Sequence, residues 1–304
     1  MKIGVTGASG LIGTPLVRSL REHGHEVVRF VRGSSSTPGA ADERGWDPSG
    51  HRLDPADLAD LDAVVHLAGA GVADKRWTEA RKQVVLGSRV DGTTTVARAM
   101  AEALAAGQGP RVLLSSSAIG FYGDTGDRLT DETGASGEGF LAEVCRQWEA
   151  STAAAEQAGV RVAHLRTGIV LSGEGGIVGK QLLLFKAGLG APLGSGRQWL
   201  SWISLQDTVS AMRHLLTADV EGPVNLVSPA PVTNRDFTKA LGRAVHRPTL
   251  PVPVPGVALR LAVGPFAQEA ILIGQRLAPI VLQRSGFAFA HADLDAALRA
   301  SLSV

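Results

Sequence analysis

Gly7-Ala8-Ser9-Gly10-Leu11-Ile12-Gly13 limits this chain more than any other stretch. The run before it, Lys2 to Thr6, has the apolar character of a short buried strand. After it, Ile12, Leu16 and Leu20 fall four apart, the spacing of one helix face. A glycine turn from strand to helix points unpaired N–H groups and the positive end of the helix dipole at an anion. Gly7 allows the tight turn, Gly10 lets a diphosphate approach the backbone, and Gly13 lets the helix pack on the strand. Ser9, Leu11 and Ile12 complete the same loop. With a strand before it and a helix after it, the pattern predicts a dinucleotide site; an ordinary glycine-rich turn is the bland alternative.

The rest of the first half alternates strand and helix. Glu26–Arg32, Ala63–Gly69, Arg111–Ser117 and Val160–Leu171 read as strands. Thr78–Leu104 and Phe140–Ala158 read as helices, the first with a break permitted near Gly87 or Gly92. Asp42–Asp62 reads as a long connection with one short helix near Pro55–Leu61, and Gly120–Gly139 as a surface loop. Later come helices at Asp207–Leu216 and Asn234–Ala244, a strand at Pro223–Val227, an extended proline run from Pro248 to Pro255, and a mostly helical Val257–Leu302. The alternation predicts an α/β fold: a Rossmann doubly wound parallel sheet with a smaller, mostly helical C-terminal substrate region. The expected division is a dinucleotide-binding core over 1–171, completed by parts of 203–228, and a substrate region over 172–304 with a helical extension at 249–304.

At 304 residues the chain can bury a substantial core. A net charge of +1 gives no reason to expect nucleic acid or an anionic membrane as partner. The single cysteine, Cys145, fits a reducing compartment and reads as a small core residue. The first residues lack a signal-peptide pattern, and Pro251–Gly264 is too short and broken to span a bilayer, so a cytoplasmic protein is expected. The eight histidines show no metal-ligand spacing, which predicts no metal site.

In a dinucleotide fold, an acid about twenty residues past the glycines receives the ribose 2′-OH. Nineteen residues after Gly13 stands Arg32, followed by Gly33 and the hydroxyls of Ser34–Thr37. Guanidinium with hydroxyls suits a 2′-phosphate, so NADP(H) is expected over NAD(H). Leu67-Ala68-Gly69 ends the strand expected beside the cofactor.

These residues resemble a family. The glycine loop, Leu67-Ala68-Gly69-Ala70 and the Ser115-Ser116-Ser117 strand end before Tyr122-Gly123 are similar to the extended short-chain dehydrogenase/reductases. Arg76-Trp77-Thr78, Ser88-Arg89, Trp148-Glu149, Arg166-Thr167-Gly168, Gly194–Trp199 with Ser201-Trp202-Ile203, Pro223-Val224-Asn225, His246-Arg247-Pro248, Gly274-Gln275-Arg276 and Gly286-Phe287 follow in order. That series resembles the atypical branch known as epimerase family proteins, sugar-nucleotide epimerase-like with a C-terminal extension. The resemblance implies NADP(H) binding and no particular reaction. It implies that Arg89 lies near the diphosphate or ribose, that Ser115 lines the cofactor, and that Thr167 and Val170 meet the nicotinamide.

The superfamily places a tyrosine four residues before a lysine on the helix that here carries Phe140 and Val144. Neither side chain titrates. Ser117 stands at the superfamily's serine position, read either as a substrate hydrogen-bonder or as a strand-end serine satisfying backbone. Tyr122, the only tyrosine, is the candidate substitute acid, with Lys82 and Lys180 as candidate cations. Glu143 and Glu149 are a second pair of candidates, or else surface acids and arginine partners. Arg197 and Trp199 are candidate substrate contacts, through an anionic group and a ring. The expected function is an NADP(H)-binding, epimerase-like oxidoreductase acting on a small polar or carbonyl compound. The alternatives are a non-catalytic NADP(H)-binding regulatory or scaffold protein and a sugar-nucleotide epimerase proper. A homodimer is compatible with either class.

Overall fold

In a computed structural model, which describes residues 1–33 and 42–302, the chain opens with β1 (Lys2–Thr6), α1 (Gly13–Glu22), β2 (Glu26–Arg32) and β3 (Glu43–Trp46). It continues with β4 (Ala63–His66), α2 (Glu79–Ala105), β5 (Val112–Ala118), α3 (Phe140–Ala150), α4 (Ala153–Gln157) and β6 (Arg161–Thr167). Next come β7 (Ile169–Leu171), α5 (Gly176–Lys186), β8 (Trp199–Leu200), β9 (Trp202–Ser204), α6 (Leu205–Thr217) and β10 (Gly222–Leu226). The last elements are β11 (Val232–Thr233), α7 (Asn234–Ala244), α8 (Gly256–Val263), α9 (Ile280–Arg284) and α10 (Leu294–Leu302).

The main sheet has seven strands in the order β3-β2-β1-β4-β5-β6-β10, all parallel. It is a Rossmann doubly wound sheet. Helices cover both faces, so its central strands are largely buried; β4 is buried at every residue. Ile3, Val5, Leu16, Leu20, Leu114, Leu165, Met212 and Leu215 form the core beneath α1 and α6. Val28, Phe30, Val64, Met100, Leu113 and Val162 form the core on the opposite face. The order reverses between β1 and β4, and a ligand crevice is expected where the strand ends diverge.

Several expected boundaries move. β3 arises inside the expected connection because Glu-Arg-Gly-Trp carries no strand pattern of its own. Pairing with β2 selects it; Trp46 plugs the core while Arg44 pairs with Asp60 at the charged sheet edge. α2 runs unbroken through Gly87 and Gly92. A Cβ at Gly92 would lie 3.5 Å from His66, an ordinary contact distance, so α2 passes β4 there without needing a glycine. The expected Phe140–Ala158 helix divides at Thr152, whose buried hydroxyl lies 2.7 Å from both the Glu149 carbonyl and the Glu156 carboxylate, with its one hydrogen to give to either. The last expected core strand divides at Gly168, where a Cβ would meet the Ser201 carbonyl at 2.6 Å. β6 therefore stays in the main sheet while β7 leaves it to pair with β9.

The expected surface loop at 120–139 is partly interior. Thr125, Thr130 and Glu132 are buried. Thr125 N–H donates to the Gly274 carbonyl, Thr130 N–H to that of Arg276, and Ala278 N–H to that of Thr130. The later chain is tied back again at Asp207, 1% exposed, whose carboxylate accepts from Ala290 N–H at 2.8 Å and His291 N–H at 3.0 Å. Asp207→Ala strands both donors and is expected to cost about 2–4 kcal/mol. A urea titration should show a lower midpoint with the slope unchanged.

Candidate active site

The glycine loop fills the crevice beside β1. Gly7 has φ +66°, and a Cβ on it would stand 2.8 Å from the Leu67 carbonyl carbon. A Cβ on Gly13 would stand 2.1 Å from the Gly7 carbonyl oxygen. Only glycine permits both approaches. Ser9 and Gly10 are exposed at the loop tip, and no side chain caps the start of α1. A buried link holds the two loops together. Thr6 Oγ1 accepts from Leu67 N–H at 3.1 Å and Ala68 N–H at 3.3 Å, and hydrogen-bonds His66 Nδ1 at 2.8 Å.

Arg89 lies beneath Gly69. Its guanidinium donates to the Ala70 and Val85 carbonyls, both at 2.9 Å, and stacks 4.8 Å from the Trp148 ring. Burial lowers its pKa to about 10, which leaves it charged at neutral pH. Arg32 stands exposed at the end of β2 and has no partner among the described residues. Ser34–Thr37, the hydroxyls expected beside it, lie outside the described residues. Across the crevice, α5 begins against the loop: a Cβ at Gly175 would lie 3.3 Å from Leu11, and one at Gly176 would lie 3.6 Å from the Val170 carbonyl. Thr167 Oγ1 turns back to the Leu165 carbonyl at 3.1 Å.

Ser117, next to the end of β5, donates to Glu149 Oε1 at 2.6 Å. Arg166 grips the same carboxylate in a fork, Nε to Oε1 and Nη2 to Oε2, both at 2.9 Å. The pair is buried, with side chains 5% and 13% exposed. Behind it, Arg166 Nη1 donates to Tyr122 Oη at 2.9 Å, and Tyr122 donates to Asn225 Oδ1 at 2.7 Å. The Phe121 ring stacks 3.4 Å from the guanidinium. Glu132 accepts the N–H groups of Asn225 and Val281.

Tyr122, the candidate substitute acid, is therefore inside the protein at 3% exposure. Burial pushes its pKa up to about 12 against the opposing pull of Arg166. Neither expected lysine is its cation: Lys82 pairs with Glu79, and Lys180 donates to the Ala73 carbonyl and pairs with Asp74. Phe140 packs edge-on to Trp77 at 5.1 Å, and Val144 is buried. Glu143 pairs with Arg146 on the surface. Cys145 is a buried thiol raised to about 11 by desolvation. Trp199 donates to Asp127 and stacks under Arg276, while Arg197 is exposed.

Sequence patterns alone miss the pairing of Arg166 with Glu149. The available signal is an arginine inside the apolar run Val160–Leu171, since a buried charge requires a partner. Also unread is the row His66, Ser115 and His164, directly opposite one another on β4, β5 and β6. His66 Nε2, Ser115 Oγ and His164 Nδ1 are each buried without a hydrogen-bond partner among the described residues.

A glycine cradle at the switch point of a doubly wound parallel sheet is the arrangement of a dinucleotide-binding fold. Residues 3–227 match the NAD dependent epimerase/dehydratase family, and the chain belongs to that family. Residues 254–301 match a domain of unknown function, DUF1731. The chain is 47% identical over 297 residues to epimerase family protein Mb2239 of Mycobacterium bovis, covering 97% of this chain and 96% of that one. It is 32% identical to the human epimerase family protein SDR39U1, over 98% of this chain and 99% of that one. A crystal structure of human SDR39U1 (isoform 2) with NADPH superposes with a TM-score of 0.88 at 31% identity, over 99% and 98% of the two chains. A UDP-glucose 4-epimerase from Thermotoga maritima shares the fold, with a TM-score of 0.78 at 19% identity over 99% and 97%.

Desolvation lowers His66 to about 4, from an ordinary 6.5. A histidine kept neutral by folding stabilises fully above pH 6.5, and that contribution is lost as pH falls towards 4. The expected loss is about 3 kcal/mol. His66→Asn should flatten this part of a stability-against-pH curve measured by denaturant unfolding.

Proposed function

We propose that this chain is an NADP(H)-dependent oxidoreductase of the epimerase-like branch, acting on a carbonyl or alcohol, with Ser117 and Glu149 in place of the missing Tyr–Lys pair. The observation that carries the chemistry is the 2.6 Å hydrogen bond from Ser117 to a carboxylate that Arg166 holds in a fork. The uncapped start of α1 and the glycines would hold the diphosphate, with Leu67–Gly69 and Arg89 beside the adenosine and ribose. Arg32, unpaired among the described residues, suits the 2′-phosphate. Thr167 and Val170 would border the nicotinamide, and Ser115 the crevice floor.

NADP(H) supplies hydride exchange at its nicotinamide ring. The protein's task is the proton. In alcohol oxidation, Ser117 Oγ takes the hydroxyl proton while its own proton passes to Glu149 Oε1; reduction of a carbonyl runs the same transfers backward. Arg166 fixes the carboxylate and offsets its charge. Tyr122 supports Arg166 from behind and stays out of the proton path, because its own hydrogen is engaged by Asn225.

NADPH should raise the melting temperature more than NADH. Arg32→Ala should narrow that gap by removing about 1.5–3 kcal/mol of charge-assisted hydrogen bonding; equal shifts in the unaltered protein would end the NADP(H) preference. In a carbonyl panel with NADPH, Ser117→Ala should lower kcat by about a hundredfold or more with NADPH binding retained. Tyr122→Phe should lower the melting temperature and change kcat far less. No turnover across the panel with NADPH binding intact would replace this reading with the regulatory one.

A further inference from the structure

We infer that the substrate is an amphiphile, an apolar chain or ring system ending in an anion, and that it occupies a pocket of about 390 Å³ walled by α5, the 73–76 loop and the chain around α8. This rests on the proposed carbonyl chemistry and adds the class of molecule that undergoes it. The pocket has the size of a small-molecule site. It shares a wall with the cofactor cradle. α5 begins against Leu11 and Val170 and then offers Ile177 and Lys180 to the pocket, while Ile169, beside Val170, lines it too.

The pocket lining is of two kinds. One is hydrocarbon: Leu200, Phe237, Phe266 and Ile271. Asn234 interrupts it, but its side-chain oxygen already accepts from Leu193 N–H at 2.7 Å. The other is cationic. Lys75, Arg76 and Lys180 line it with a single acid, Asp74, which Lys180 meets at 3.7 Å. Among the described residues, Lys75 and Arg76 have no carboxylate partner. Trp77 fixes this loop by donating to the Val72 carbonyl and packing edge-on to Phe140 and Phe266. The cations are therefore presented beside the apolar wall by an anchored segment. A nucleoside diphosphate sugar would set its base and hydroxyls against hydrocarbon, at a desolvation cost that wall does not offset. An aliphatic or aryl carboxylate matches both kinds of lining.

Calorimetric titration of the whole chain with decanoate, decanol and UDP-glucose tests this, with and without NADPH. Decanoate should bind, decanol about tenfold more weakly, and UDP-glucose more weakly still. Lys75→Ala with Arg76→Ala should bring decanoate to the affinity of decanol. Ile177→Glu, at a position 39% exposed and so tolerant of the change, should weaken decanoate binding about tenfold or more. UDP-glucose binding more tightly than decanoate, no decanoate binding, or an unchanged affinity in Ile177→Glu would each overturn the assignment. NADPH-induced melting shifts in the same samples separate the two readings. Loss of the shift with Ile177-dependent decanoate binding intact removes the cofactor reading and leaves the pocket standing.

Discussion

The fork between Arg166 and Glu149 is the contact on which the rest of the site depends. It joins β6 to α3 through two hydrogen bonds in a buried setting. Two charges in such a place are costly to desolvate, so the pair persists only if every remaining lone pair and proton is used. Most of them are used here: Ser117 donates to the carboxylate, while Tyr122 and the Glu132 carbonyl accept from the guanidinium and the Phe121 ring stacks on it. The ion pair thus sets the position of the one hydroxyl at the strand end and links it to the loop after β5.

Much of this was open to reading and some of it was not. The glycine loop was legible because strand, turn and helix each leave a local mark, and Gly7 and Gly13 have roles no other residue can fill. The buried strands β1, β4 and β5 were legible from their apolar runs. β3 was not, because its four residues are polar and only the neighbouring strand makes them extended. The break at Gly168 was hidden for a related reason: the glycine is required by the Ser201 carbonyl, a partner far along the chain. Composition likewise gave Gly120–Gly139 the look of solvent, whereas its threonines and Glu132 bond the segment around Gly274–Val281.

The candidate site divides along the same line. Arg32 and Arg89 are open to reading because they hold fixed positions relative to motifs; the structure leaves the first exposed at the end of β2 and sets the second beneath Gly69. Tyr122 was singled out for its chemistry, and the structure gives it a buried place between Asn225 and Arg166 that sequence spacing does not reveal. Glu149 was visible as an acid on the right helix, but its geometry depends on an arginine that only the sheet brings opposite. The membership of this chain in the epimerase/dehydratase family agrees with the fold, and Phe140 and Val144 serve packing, one edge-on to Trp77 and the other buried. Among the described residues, no helix is long and apolar enough to cross a membrane.

The bonds from Thr125 to Gly274 and Arg276 span about half the chain, 149 and 151 residues apart. Contacts of such separation form late, because loop closure must come before they stabilise anything. During synthesis the parallel sheet up to β6 can therefore assemble while the loop behind Ser117 still lacks its partners. The loop that carries Tyr122 is thus closed only once the chain around Gly274 has been made.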